Sequence, residues 1–436
     1  MLEIVLIFVF LQLIISLMVF KNDIFSPAVG FDIAFFVAIL DLILMKEYWA
    51  VDIGKETVNV LVMGIGIYNL VCIFLKDSIP RTVGFGKKIY NSDILLLPEK
   101  VLTVLIGIYG IVIILVIFCV NKSNGLGLSI SNYISVISNN RELSLPAIVS
   151  IIYTICNMAG YIWCYLFAKY FSYRKKINIK LMLLIIETIV LILAIGKRGT
   201  LVGIVICCIV FMMNELKINF SKKLSKKIYG ITFLLLVCVA FSFQSIATAM
   251  CRDSYLFNPF EYFSIYLGAP ILNLDTSIKN KYYHHPVFLS ETLHSLYTSI
   301  GENFNIPELI YDTDRAFLSS PNGKRVGNVD TVFYDFYHDG GMMGVLILTA
   351  IMAVIAQRLY NKVKYNKTVN LMFSTMLYAY IYWLTIRSFF ANSLYEWVTL
   401  STLETLAIWW FGSYVIQKYV KNKNSYNRSK RSNCDE

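Results

Sequence analysis

Long apolar runs recur along the whole chain at a length that suits membrane-spanning helices. A helix needs about 20 apolar residues to cross the hydrocarbon core of a bilayer. Runs near this length predict eleven spans, near residues 1–20, 28–45, 57–75, 101–120, 146–171, 181–196, 199–215, 228–246, 341–357, 370–390 and 397–416. The pattern therefore predicts an all-α, polytopic transmembrane helix bundle.

The basic residues sort the connections between these spans into two sets. Cytoplasmic loops of membrane proteins carry an excess of Lys and Arg. Of the 39 basic residues, 26 fall in alternate connections, which are Lys21, 76–100, 169–180, 217–227, 358–367 and the segment after residue 417. We therefore expect the C-terminus in the cytoplasm and, because the span count is odd, the N-terminus outside.

One connection, residues 247–338, is much larger than the others and is predicted to lie outside. It has 92 residues, a formal charge of −4 and all four histidines. Residues 255–272 and 286–300 have the apolar spacing of amphipathic helices that lie on a membrane surface. The predicted regions are helices one to eight (1–246), a large and partly helical extracytoplasmic loop (247–338), helices nine to eleven (339–416) and a basic cytoplasmic tail (417–436), disordered from residue 422.

Composition excludes several other classes of protein. The chain is 57% hydrophobic and 15% charged, whereas a soluble domain is about a quarter charged. This excludes an ordinary soluble enzyme, a disordered protein and a secreted disulfide scaffold. The net charge of +11 reports membrane orientation and does not indicate a nucleic-acid partner. The nine cysteines lack metal-ligand spacing, so no metal or cofactor is predicted.

A few cations lie on the predicted outer side, where they are unusual. Lys197 and Arg198 occupy a turn between Gly196 and Gly199; they are either snorkelling anchors or a clamp that binds phosphate. Arg387 lies near the outer end of the tenth span, where a charge suggests a functional site or pairs with Glu396 or Glu404. Weaker candidates for binding phosphate are Lys324, Arg325 and Arg315, the last of which could simply pair with neighbouring aspartates.

The stretch 321–344 combines carboxylates, a histidine and aromatic residues at the entry to a span. Asp330, Asp335 or His338 could act as a general base toward a sugar hydroxyl. The alternatives are solvated polar residues, an interfacial aromatic belt and, for Gly341-x-x-Gly344, a close contact between helices.

Three features of the sequence resemble the Wzy-type polysaccharide polymerases of bacterial O-antigen and capsule synthesis. They are the turn Ile195-Gly196-Lys197-Arg198-Gly199-Thr200-Leu201, the single large loop late in the chain, and the exit of that loop, where it leads into the next span. At the exit, Asn328-x-x-Thr331 precedes Tyr334-x-Phe336 and Gly341-x-x-Gly344, which is similar to the family pattern N-x-x-T…D-F-G-x-x-G. Tyr337-His338-Asp339-Gly340 departs from the family's Asp-Phe-Gly, so the matching carboxylate stays open.

The resemblance implies a metal-independent membrane glycosyltransferase with a C-type (GT-C-like) architecture in the bacterial cytoplasmic membrane. Its substrate would be an undecaprenyl diphosphate-linked oligosaccharide, polymerised at the outer face, and a chain-length regulator could be a partner. Arg198 would then bind the leaving diphosphate. An O-antigen ligase shares this architecture and stays an alternative. A flippase of lipid-linked oligosaccharide fits less well, because no two related halves are evident.

Overall fold

The computed structural model describes residues 1–77, 97–124, 145–219, 230, 258–280, 287–311, 317–365 and 372–432. About 80% of these residues are helical, and the strands among them form one two-stranded hairpin. Within this described part, six helices are long and apolar enough to cross a membrane. The predicted helical, multi-pass membrane class is therefore supported.

The helices and strands are numbered here in chain order. The helices are α1 (Leu2–Val19), α2 (Pro27–Leu44), α3 (Lys46–Trp49), α4 (Lys55–Phe74), α5 (Glu99–Asn124), α6 (Ala147–Arg174), α7 (Ile179–Ala194), α8 (Arg198–Asn219), α9 (Pro259–Leu267), α10 (Ala269–Asn280), α11 (His294–Phe304), α12 (Val332–Tyr365), α13 (Met372–Ile386), α14 (Ser393–Glu396) and α15 (Leu400–Ser432). The strands are β1 (Leu318–Ser319) and β2 (Arg325–Gly327), and 3₁₀ turns cover Pro307–Leu309 and Arg387–Phe389.

The chain divides into two compact units, which are described separately. Unit 1 comprises Met1–Thr82, Phe257–Lys367 and Tyr380–Leu403. Unit 2 comprises Val83–Leu256, Thr368–Ala379 and Glu404–Glu436.

The membrane helices of unit 1 pack through aromatic and small residues. Helix α1 packs against α2 and α4, and α4 packs along α12. The rings of Phe31 and Tyr68 stack with centroids 4.0 Å apart, and Phe35 stacks on Phe333 at 5.3 Å. Much of the opposite face of α1, including Ile4, is exposed. An exposed apolar helix face of this kind suits contact with lipid.

The eleven predicted spans agree only in part with the helices. Helices α1, α2, α4, α5 and α6 match the first five spans, and the ninth lies within α12. Helices α7, α8, α13 and α15 overlap four further spans, but they are shorter or less apolar than the six candidates. The predicted span 228–246 lies outside the described residues, apart from Gly230. A count of eleven is therefore not confirmed.

In unit 1, the connections between helices contact one another at two separate ends. At one end, Tyr48 donates to Glu261 and the backbone N–H of Gly54 donates to Asp275, so the α2–α4 connection contacts α9 and α10. At the other end, Tyr360 donates to Asp23 and the Asn361 amide donates to the Leu75 carbonyl. We call the first of these the loop end. Helices α9 and α10, which belong to the 247–338 segment, thus share an end with the α2–α4 connection.

Helix α10 of the large loop differs from the expectation of a helix that lies on a membrane surface. Helix α9 is capped by Asn258, whose side chain accepts from the Glu261 N–H at 2.7 Å, and Pro259 occupies its first turn. Both residue types favour a helix start. Helix α10 is buried along most of its length and packs against α2, α4 and β2. This part of the loop is therefore core of unit 1.

Unit 2 contains helices α5 to α8, with α6 packed between α7 and α8. In its interior, Trp163 donates to the Tyr109 hydroxyl, which donates in turn to the Cys156 carbonyl. Within the same unit, Tyr161 contacts Trp409 of α15 at 5.3 Å between ring centroids. Helix α15 continues to Ser432, so the predicted disorder from residue 422 is wrong as far as that residue.

Candidate functional site

Three sequence-predicted polar residues are buried at the start of α12, in unit 1. Asp330, Asp335 and His338 are 2%, 3% and 8% exposed. Val332, Phe333 and Phe336 are fully buried on the same short stretch and fix it in the core. Because residues three apart lie side by side on a helix, Asp335 and His338 are neighbours. A carboxylate and an imidazole in a buried setting are suited to proton transfer.

The start of α12 is separated from the rest of the helix by a break at two glycines. Gly341 has φ +57° and ψ −148°, and the preceding Gly340 is also non-helical. This combination is open almost only to glycine. At Gly344, a Cβ atom would overlap the carbonyl oxygen of Phe336, while nothing lies within 4 Å of the Cβ position of Gly341. The two glycines thus lie in a tight turn within one segment.

Asp339 anchors the large loop to this turn, a role that the sequence analysis missed. Its carboxylate accepts from the backbone N–H groups of Thr292 at 2.7 Å and Glu291 at 3.1 Å. The carbonyl of Thr292 in turn accepts from the side-chain amide of Asn392 at 3.1 Å. A carboxylate just before Gly-Gly was the available signal, but nothing in the sequence reveals the partner segment.

The segment that follows α13 also packs against the start of α12. The Tyr395 ring meets Phe336 edge-on at 5.3 Å, and its hydroxyl donates to the Leu348 carbonyl at 2.7 Å. This segment carries Arg387, which is half-buried. The site therefore draws on three stretches that are far apart in sequence.

Arg387 lies over an aromatic pair. Its guanidinium carbon is 5.3 Å from the centroid of the Phe390 ring, which stacks on Tyr266 of α9 at 5.7 Å. Burial lowers the pKa of Arg387, while the charge of Glu396 acts in the opposite direction. The guanidinium stays charged at neutral pH because its ordinary pKa is so high. Among the described residues no ion pair joins Arg387 to Glu396, so the aromatic ring of Phe390 is its closer contact.

Several buried polar atoms beside the start of α12 have no hydrogen-bond partner within the described part of the chain. An unsatisfied buried polar atom costs about 1–3 kcal/mol, so a group of them suits a polar ligand. Asn273 of α10 also reaches this region, because its amide donates to the Val329 carbonyl at 2.8 Å. The atoms are Asn273 Oδ1, Thr292 Oγ1, Thr331 Oγ1, Asn392 Oδ1 and Ser393 Oγ.

The hairpin cations lie at the loop end of unit 1. Lys324 is 5.2 Å from the centroid of the Tyr48 ring, and Asn322 donates to the Tyr48 carbonyl, so the hairpin tip is docked on α3. Arg325 is exposed on β2. Lys324 thus contacts Tyr48. Neither Lys324 nor Arg325 is among the hydrogen-bonded residues around Asp339. Arg315 lies outside the described residues.

The predicted turn with Lys197 and Arg198 lies in unit 2. Gly196 has φ +76°, which favours glycine, and α8 begins at Arg198. Lys197 is exposed, with its ammonium 5.8 Å from the centroid of the Tyr153 ring. The side chain of Arg198 lies outside the described part. The short turn between two helices is as predicted.

No group of three or more His, Cys, Asp or Glu side chains arranged to hold a metal ion occurs among the described residues. Comparisons with protein-family models, curated proteins and solved structures gave no match. The assignment of a function therefore depends on the geometry and on the sequence motifs.

Proposed function

We propose that this chain is a membrane polysaccharide polymerase that joins undecaprenyl diphosphate-linked oligosaccharide repeat units into O-antigen or capsular polysaccharide. It would act at the outer face of the bacterial cytoplasmic membrane, with the loop end of unit 1 outside and the C-terminus in the cytoplasm. The observation that carries the proposal is the buried Asp335–His338 pair at the start of α12. The packing that joins this start to the segment of Arg387 supports it.

The reaction needs a base and a stabiliser of the leaving group. His338, Asp335 or Asp330 would take the proton from an acceptor sugar hydroxyl. The resulting oxygen would bond to the anomeric carbon of the donor chain, and the bond from that carbon to the diphosphate would break. Negative charge develops on the diphosphate, so a cation must meet it there. No step in this scheme requires a metal.

Arg387 is our first candidate for that cation. A guanidinium presents a planar fork that matches two phosphate oxygens, and stacking over Phe390 limits its motion. Arg198 and Lys197 are further candidates on the strength of the motif, followed by Lys324, Arg325 and Arg315. Unpaired polar atoms such as Asn273 Oδ1 and Thr331 Oγ1 would suit sugar hydroxyls.

Deletion of the gene tests the reaction class. Surface polysaccharide from the deletion strain, run on a gel, should lose its ladder and keep a single repeat unit on the acceptor. An O-antigen ligase, the alternative with the same architecture, predicts the loss of every repeat unit. A flippase of lipid-linked oligosaccharide, the less favoured alternative, also predicts complete loss. Only the first pattern supports the proposal.

Substitution of Arg387 tests the site. We expect Arg387→Ala to reduce the rate of polymerisation about 100-fold or more, as the loss of one transition-state donor commonly does. Arg387→Lys should also be impaired because the ammonium lacks the fork. Arg358→Ala is the matched control, since Arg358 is exposed near the other end of α12. A normal ladder from Arg387→Ala, at normal abundance in the membrane, would remove Arg387 from the mechanism.

Two near-isosteric variants test which residue acts as the general base. Asp335→Asn and His338→Gln keep the volume of the buried side chains but change their ability to accept a proton. The base variant should lose the ladder while the protein stays folded and lipid-linked repeat units accumulate. A variant that retains the full ladder eliminates its residue.

A further inference from the structure

A carboxyl group lies buried between three helices of unit 1, away from the site at the start of α12. Asp32 of α2 is fully buried. Its Oδ2 accepts from the Ser16 hydroxyl of α1 at 2.8 Å, and its Oδ1 accepts from the Asn69 amide of α4 at 2.6 Å. Asp32 lies within the predicted span 28–45, and no role for it follows from the sequence alone. Nothing in the proposed glycosyl transfer uses it.

The groups around Asp32 leave its charge without compensation by a cationic side chain. Both hydrogen-bond donors are neutral, and the titratable side chains on which the charge of Asp32 acts are Tyr68 and Cys72, which are also neutral when protonated. Among the described residues, no ion pair includes Asp32. An ionised carboxylate in this setting is very costly unless another charge neutralises it.

A second buried polar group, the side chain of Asn69, contributes to the same site. Asn69 is fully buried, and its side-chain oxygen has no hydrogen-bond partner among the described residues. Its amide nitrogen is bonded to Asp32, so the unpaired oxygen belongs to the same amide group that contacts the carboxylate. The Ser16 hydroxyl oxygen, which donates its hydrogen to Asp32, keeps lone pairs that could accept a positive charge. Oxygen-bearing side chains from three helices thus meet at Asp32.

We propose that Asp32, Asn69 and Ser16 form a binding site for one monovalent metal cation. Hard cations such as Na⁺ bind carboxylate, amide and hydroxyl oxygens. A single carboxylate balances one positive charge, whereas a divalent ion would leave an uncompensated charge between apolar helices. A cation held by the Asp32 carboxylate would also give the unpaired Asn69 oxygen a partner.

Occupancy of this site would hold α1, α2 and α4 together beneath the start of α12. Phe35, one turn after Asp32, stacks on Phe333 of α12, and the Phe333 ring packs closely over Gly64 of α4. Binding would therefore stabilise the packing that supports the buried residues of α12. This inference does not depend on which substrate the protein uses.

The test is the thermal unfolding of the purified full chain in detergent, in sodium chloride and in choline chloride of equal ionic strength. A ligand that binds the folded state raises the melting temperature in a saturable way, so we expect sodium to raise it by several degrees. Asp32→Asn should abolish the increment. Asp41→Asn is the matched control, because Asp41 is a second buried carboxylate of α2 and bonds to Ser264 instead; it should keep the increment.

Ser16→Ala gives a second variant in case Asp32→Asn does not fold. It keeps the carboxylate and removes one oxygen, so half-maximal stabilisation should require several-fold more sodium. Equal melting temperatures of the wild type in the two salts would overturn the proposal. Stabilisation by acid alone, without a sodium effect, would also overturn it and would assign a proton to Asp32. If Asp32→Asn retains the full sodium increment, then the cation binds at another site and the proposal is wrong.

Discussion

Asp339 illustrates how a single side chain can fix a long loop. Its carboxylate accepts two backbone N–H groups from Glu291 and Thr292, and a hydrogen bond to a charged group contributes about 1.5–3 kcal/mol. Asp339→Ala should therefore destabilise the docking of this loop by about 2 kcal/mol. Limited proteolysis of the purified protein should then cleave the loop roughly 30-fold faster, if cleavage follows local opening.

The control for this experiment is Glu308→Ala, which changes an exposed carboxylate of the same loop. It should leave the cleavage rate unchanged. Asp339→Asn retains one acceptor oxygen, so its cleavage rate should lie between those of Asp339→Ala and Glu308→Ala. If Asp339→Ala is cleaved no faster than the wild type, then contacts other than this carboxylate hold the loop.

Individual residue types could be predicted from the sequence far better than their partners. Asp330, Asp335 and His338 were predicted as a group because they are close in sequence at the entry to a span. Arg387 was singled out because a charge near the end of an apolar run is unusual. Its contact with Phe390 and the bond from Asn392 to Thr292 depend on long-range packing, which no local pattern encodes. The oxygen cluster at Asp32 was missed for the same reason, since it joins three helices.

At the scale of the element, the break in α12 depends on its glycines. A methyl group at Gly344 would overlap the Phe336 carbonyl oxygen, and a side chain at Gly341 would be strained by its positive φ. We expect Gly341→Ala to cost about 1–3 kcal/mol and Gly344→Ala to cost at least as much, because backbone must move. Both variants should lower the melting temperature and weaken the polysaccharide ladder.

Gly107→Ala provides a control in the same chain. Gly107 lies within α5, and nothing lies within 4 Å of its Cβ position. Alanine is preferred to glycine in a helix interior by about 1 kcal/mol, so this variant should be neutral or slightly more stable. Equal stability of Gly344→Ala and Gly107→Ala would show that the turn tolerates a side chain and would contradict the geometry at Phe336.

Hydropathy predicts helices well where the run is long and uniformly apolar, as in α1, α2 and α5. Hydropathy predicts a span that is too long where the helix ends before the apolar run does. The predicted span 370–390 contains a helix that ends at Ile386 and a 3₁₀ turn at Arg387–Phe389. The reverse holds for α12, which starts at Val332, before the apolar run. Its first turns mix buried aromatic residues with Asp335, His338 and Asp339, so hydropathy does not predict this part as a span, and its helical state depends on tertiary packing.

At the scale of the whole molecule, the distribution of Lys and Arg predicts the side of the membrane on which each end of unit 1 lies. The hydrogen bonds group Tyr48, Asp275 and the hairpin at one end, and Asp23, Leu75 and Lys364 at the other. The predicted cytoplasmic set contains Lys21 and Lys364. If the positive-inside rule governs insertion, the loop end faces outward.

Single cysteines in a variant whose native cysteines are replaced by serine or alanine test this assignment. Lys324→Cys, at the exposed hairpin tip, should react in intact cells with a maleimide that cannot cross the membrane. Lys21→Cys, at an exposed position of the opposite end, should react only after the cells are permeabilised. The reverse pattern would place the start of α12 on the cytoplasmic side. Because lipid-linked repeat units are polymerised at the outer face in our proposal, that result would exclude the proposed reaction for this site, whatever the substitutions at Arg387 and His338 do.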